Sequence, residues 1–141
     1  MTFLTRVLIP LGLAITIAAA CGGSDGEPDS TASGIRVVTP ADGAALIADP
    51  PDELVILDVR TIEEFDEGHI AGAEMLDFYR EDFAAELDLL DKDQPYLIYC
   101  RSGNRSGQTR AIMEDLGFTD VVDVDGGVLA WAEAGLELVA P

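Results

Sequence analysis

The sequence predicts an α/β fold with a largely parallel sheet, on three observations. From Ile35 onward, short apolar runs of strand length alternate with segments of helical periodicity. Helix-start chemistry falls between them, as Thr39-Pro40 and as Thr61-Ile62-Glu63-Glu64. One apolar run, Tyr96–Tyr99, ends in Cys100, passes through Arg101-Ser102-Gly103-Asn104-Arg105 and enters a helical pattern. In open parallel sheets, ligands bind beyond the carboxyl ends of strands, which is where Cys100 falls.

Taken in order, Ile35–Val38 reads as a strand, and Pro40 starts a short helix that runs to about Ala48 before Pro50-Pro51. Leu54–Val59 is a continuous apolar run closed by Asp58 and Arg60, the pattern of a strand buried on both faces. The capping box at Thr61 opens a helix that stops before Gly68. Ala73–Leu76 is a short, weak strand, and Arg80–Leu90 carries Phe83, Leu87 and Leu90 at helical spacing. Tyr96–Tyr99 is the strand before Cys100. A helix over Ser106–Leu116 follows, with Gly117 as its C-terminal stop. Val121–Val124 is the last strand, and Gly126-Gly127 turns into a helix through Trp131 that ends at Gly135.

Residues 1–20 stand outside this pattern. Arg6 is their only charge, and it precedes an apolar run from Val7 to Ala20 that is shorter than the ~20 residues of a membrane span. The run has the size of a signal-peptide core, closed by Ala18-Ala19-Ala20. With Cys21 next, it resembles a bacterial lipoprotein signal, which implies lipid on Cys21 and an anchor on the extracytoplasmic face of the cell membrane. Ordinary cleaved secretion and an uncleaved anchor are the alternatives. Residues 21–34 then form the anchor position and a flexible linker rich in Gly, Ser, Asp and Thr, about 20 Å from end to end as a random coil. The domain spans residues 35–141, with no second domain and no internal repeat.

The net charge of −19 argues against nucleic acid as a partner and against electrostatic attachment to anionic lipid. Against that field, Gln94–Met113 holds no Asp or Glu and contains Arg101, Arg105 and Arg110. A local cationic window around Cys100 is the pattern of an anion site. Backbone N–H groups of the turn and the start of the following helix point toward the sulfur position, and such a cradle lowers a thiol pKa. The sequence therefore predicts a nucleophilic, partly exposed thiolate at Cys100, against the alternative of an inert core cysteine. With Cys21 lipidated, Cys100 is the one free thiol of the mature chain and no intramolecular disulfide can form. One His and so few Cys make a poor metal site, and the sequence calls for no cofactor.

Four segments together carry a family resemblance: Leu57-Asp58-Val59-Arg60; Glu64-Phe65-Asp66-Glu67-Gly68-His69-Ile70-Ala71-Gly72-Ala73; the loop Cys100–Arg105 with Ser106; and Gly126-Gly127-Val128-Leu129-Ala130-Trp131. In this order and spacing they resemble the rhodanese family of sulfurtransferases, over about Ile35 to Val139. The resemblance implies one domain, a five-stranded, mostly parallel sheet flanked by helices on both faces, and a Cys100 thiolate that carries sulfane sulfur as a persulfide. It implies a small anionic sulfur donor, with cyanide or a thiol as acceptor. The six-residue loop Cys100–Arg105 goes with sulfur transfer in that family, and a loop one residue longer with its phosphatase-like branch. A Cys-dependent phosphatase needs Arg six positions after Cys to clamp phosphate. Here position 106 is Ser and Arg105 comes one residue early.

Roles follow from that resemblance and from residue chemistry. The loop N–H groups from Arg101 to Ser106, with Gly103 and Asn104 between, are expected to hold the charged sulfur. Arg101 is expected at the pocket mouth, and Arg105 either beside it or anchoring the loop. Ser102 and Ser106 offer hydroxyl donors, Ser106 alternatively serving as an N-cap. Asp58 and Arg60 are supporting candidates, through a salt bridge or, for Arg60, through substrate. His69 reads as structural rather than as a base, and Trp131 as core. An alternative function is a non-enzymatic persulfide carrier or thiol redox sensor that depends on an unknown protein partner.

Overall fold

The computed structural model describes residues 34–141. The expected signal, Cys21 and the linker up to residue 33 lie outside the described residues. The elements are β1 (Ile35–Val38), α1 (Pro40–Ala48), β2 (Val55–Asp58), α2 (Ile62–Glu67), β3 (Glu74–Met75), α3 (Phe83–Asp88), β4 (Pro95–Tyr99), α4 (Asn104–Asp115), β5 (Asp120–Val124) and α5 (Gly127–Glu133). The strands form one sheet in the order β1-β5-β4-β2-β3. Every pairing between them is parallel. The α/β expectation and the parallel five-stranded sheet therefore both hold.

Period-two alternation sends the strand side chains to two separate cores. Leu57, Tyr96, Ile98 and Val121, with Cys100 after them, pack under Phe83 and Leu87 of α3 and Met113 of α4. Leu97, Tyr99, Val122 and Val124 pack under Leu46 of α1 and Val128 and Trp131 of α5. β4 is central and buried on both faces, so Cys100 leaves the sheet at its middle.

Local chemistry explains the boundaries. Thr39 caps α1 through its hydroxyl, and Thr61 with Glu64 forms the reciprocal capping box of α2. α3 is shorter than its apolar spacing predicts. The Asp82 carboxylate is held by Arg80 at 2.8 Å and caps nothing, so the helix begins only at Phe83. α4 begins at Asn104, two residues before the predicted start. Gly103, at φ +94°, makes the left-handed step that turns the chain out of β4 and into the helix. Ser106 is thus inside the first turn and is not an N-cap, which corrects that alternative.

Candidate active site

Cys100 follows β4 directly and is only 1% exposed, not the partly exposed thiol that the sequence predicts. The difference is a packing effect: Cys100 belongs to the buried cluster of Phe83, Leu87 and Met113. The Gly103 N–H donates to Sγ at 3.1 Å. Burial alone would push the thiol up. The Ser106 hydroxyl and the N–H groups of Ser106, Ser102 and Gly103 outweigh it, so the thiol lies below its ordinary value.

The loop is fixed from behind by α5. The Val128 N–H donates to the Cys100 carbonyl at 2.9 Å, and the Leu129 N–H donates to the Arg101 carbonyl at 3.1 Å. This approach requires Gly127, because a Cβ there would stand 2.2 Å from the Cys100 carbonyl oxygen. The Gly-Gly pair before α5 is therefore part of the site, although it contributes no side chain.

The two loop arginines divide in role. Arg105 is held bidentately by Glu64, at 2.7 Å to each oxygen, and its guanidinium lies 5.5 Å from the centre of the Tyr79 ring. The Arg105 guanidinium holds the Glu64 carboxyl down to about 2, and Thr61 and Arg60 add to the effect against burial. Arg101 is exposed, makes no ion pair among the described residues and borders an open cleft of about 280 Å³. Arg60, Glu67, Leu129 and Leu138 also line that cleft.

Asp58 and Arg60 form a buried pair 2.6 Å apart. The Asp58 carboxylate also accepts the Arg60 backbone N–H at 3.0 Å. Arg60 further donates to the Gly68 carbonyl at 2.8 Å and lies over the Tyr99 ring. These contacts tie β2 to the turn after α2. Ser102 is exposed, and it acts on the sulfur through its N–H. Asn104 is exposed too, and its side-chain Oδ1 accepts from Gln108 Nε2 at 2.9 Å along α4. His69 stacks on Phe65 at 3.7 Å, and its backbone bridges to Val139. The Trp131 indole is buried and donates to the Glu137 carbonyl.

Sequence reasoning did not assign Glu64 or Asp123 to the site. Glu64 carried a signal as the third residue of a capping box and as the first of a segment of the family resemblance, and neither pointed to Arg105. Asp123 carried one as an acid inside Val121–Val124, where a strand buried on both faces should hold none.

Comparison with known proteins agrees with this geometry. Residues 39–134 match the model of the rhodanese-like domain. A protein named sulfurtransferase from Allochromatium vinosum is 38% identical over 95 residues, covering 67% of this chain and 86% of that protein. The thiosulfate sulfurtransferase GlpE of Pseudomonas putida is 41% identical over 78 residues, 55% of this chain and 68% of its own. The crystal structure of a rhodanese-related protein from Thermoplasma volcanium superposes with a TM-score of 0.66 at 29% identity, covering 75% of this chain and 99% of that one. With the match running from α1 through α5, this chain belongs to the family of rhodanese-like domains.

Proposed function

We propose that the protein is a sulfurtransferase that works through a Cys100 persulfide. The observation that carries this reading is the sulfur itself, seated at the end of the central strand and bonded by the Gly103 N–H at 3.1 Å. The names of its relatives point to the same chemistry, thiosulfate being the donor named for the Pseudomonas putida protein.

The Cys100 thiolate attacks the outer sulfur of thiosulfate or a related donor. The S–S bond of the donor breaks, sulfite leaves with the bonding pair, and a Cys100 persulfide anion remains. Cyanide or an acceptor thiolate then attacks the terminal sulfur, and its bond to Cys100 Sγ breaks to restore the thiolate. No net redox change and no external base are needed. The N–H groups of Ser102, Gly103 and Ser106 stabilise the charge on sulfur before and after transfer. Arg101, the loop cation with no ion pair among the described residues, attracts the anionic donor toward the loop. Arg105 keeps the loop in place through Glu64. The burial of Cys100 suits a small donor better than the bulk of a partner protein, and so favours this reading over a carrier or sensor.

Intact-mass measurement tests the proposal. The protein should gain the mass of one sulfur atom on incubation with thiosulfate and lose it to cyanide, and Cys100→Ser should gain nothing. A gain that persists in Cys100→Ser, or none in the wild type, overturns it.

A further inference from the structure

Asp123 is out of character with its strand. It is the fourth of the five residues of β5, a strand paired on both sides, and it is 4% exposed. Its Cα partner is Ile98, two residues before Cys100, and alternation turns it to the face of Val121 rather than that of Val122 and Val124. Buried carboxylates normally carry hydrogen bonds. Asp58, also buried, is fully bonded by Arg60. Asp123 is not. Its Oδ1 has no partner, and its Oδ2 faces Arg110 Nε at 3.4 Å, where Nε forms no hydrogen bond. Ser106 Oγ is likewise buried and unbonded. Among the described residues, these three are the buried side-chain polar atoms without a hydrogen bond, and they lie on α4 and β5, which pack against each other.

Ser106 stands one turn before Arg110 on α4, and its hydroxyl, which forms no hydrogen bond in this structure, lowers both the Cys100 thiol and the Asp123 carboxyl. A hydroxyl has one proton. It can be given to a thiolate or to a carboxylate, not to both at once. We propose that Asp123 is a positioning residue for Cys100, competing with the sulfur for the Ser106 proton and so setting how much charge the sulfur carries.

With Asp123 ionised, the carboxylate takes the Ser106 proton and adds a like charge near the sulfur. With Asp123 protonated, its O–H can donate to Ser106 Oγ, whose own proton then turns to the sulfur. Only one proton is exchanged with solvent between the two states. Burial pushes the Asp123 carboxyl up and Asp125 adds to this, against the lowering by Ser106 and Arg110, so carboxyl and thiol titrate closer together than in water. From α4, Arg110 is the cation that faces the carboxyl, at 3.4 Å, and Arg105, the other cation near the loop, is held by Glu64. Phe83, Leu87 and Met113 complete this face and carry no charge.

This inference rests on Cys100 being the working thiol, and its test reads the thiol directly, apart from sulfur transfer. The pH dependence of Cys100 alkylation by iodoacetamide, followed on the Cys100 peptide by mass, is measured for wild type, Asp123→Asn, Ser106→Ala and the double variant. At a pH about one unit below the wild-type midpoint, Asp123→Asn should alkylate about fivefold faster and Ser106→Ala slower, and the gain from Asp123→Asn should be absent in the Ser106→Ala background. Ser106→Thr, which keeps the hydroxyl, should restore the wild-type profile. An unchanged midpoint in Asp123→Asn, or the same gain without Ser106, overturns the proposal. On the unaltered protein, the Asp123 carboxyl carbon resonance should show an inflection at the thiol midpoint, by reciprocity. Its absence overturns the proposal even if a variant fails to fold.

Discussion

Glu64 serves two neighbours. Its Oε2 accepts the Thr61 N–H at 3.1 Å to close the capping box, and both its oxygens grip Arg105. The carboxyl is held near 2, below its unfolded value, so this group stabilises the fold above the unfolded pKa and loses that contribution as pH falls toward 2. The partly exposed pair should contribute about 1 to 3 kcal/mol. Glu64→Gln is expected to flatten the dependence of stability on pH between about 4.5 and 2, measured by urea unfolding at each pH. A dependence as steep as that of wild type would show that the Arg105 pair contributes nothing. The residue scale also shows where sequence reading stops. The capping box is legible because its partners are three residues apart, but the Arg105 pair joins residues 41 apart. Only the folded sheet brings those two together. Asp123 is the opposite case. Its oddness was visible in the sequence, but the groups it meets depend on the packing of α4 over β5.

At the scale of elements, local signals bounded α1 closely, because Thr39, Pro40 and Pro50-Pro51 flank it with short-range chemistry. The start of α4 was missed by two residues, because the left-handed step at Gly103 replaces a side-chain cap. The contact of α5 with the loop makes a sharper demand. Gly127, at φ +57°, admits no Cβ against the Cys100 carbonyl, whereas Gly107 of α4 faces open space. Gly127→Ala should cost about 2 to 4 kcal/mol and slow persulfide loading, whereas Gly107→Ala should add up to about 1 kcal/mol and leave loading unchanged. Urea unfolding and intact-mass time courses on both variants check the pair. Equal effects at the two glycines would mean that the α5 contact does not shape the loop.

At the scale of the whole molecule, a net charge of −19 surrounds a site whose one loop cation without an ion pair, among the described residues, is Arg101. Long-range repulsion of a dianionic donor is screened by salt, while close contact with Arg101 is screened much less. Thiosulfate loading should therefore speed up by about two- to fivefold between roughly 10 and 150 mM monovalent salt. Rapid-mixing kinetics read this directly, and a fall in rate would mean that the local cation outweighs the global field. One detail of the fold bears on what happens once the donor arrives. In a trans peptide the carbonyl and the N–H point in opposite directions. When Leu129 draws the Arg101 carbonyl toward α5, it also aims the Ser102 N–H at the sulfur. The peptide planes around Cys100 thus act as a solvent shell whose molecules have already turned to face an ion. As sulfur arrives and departs, those dipoles have no rotation left to make.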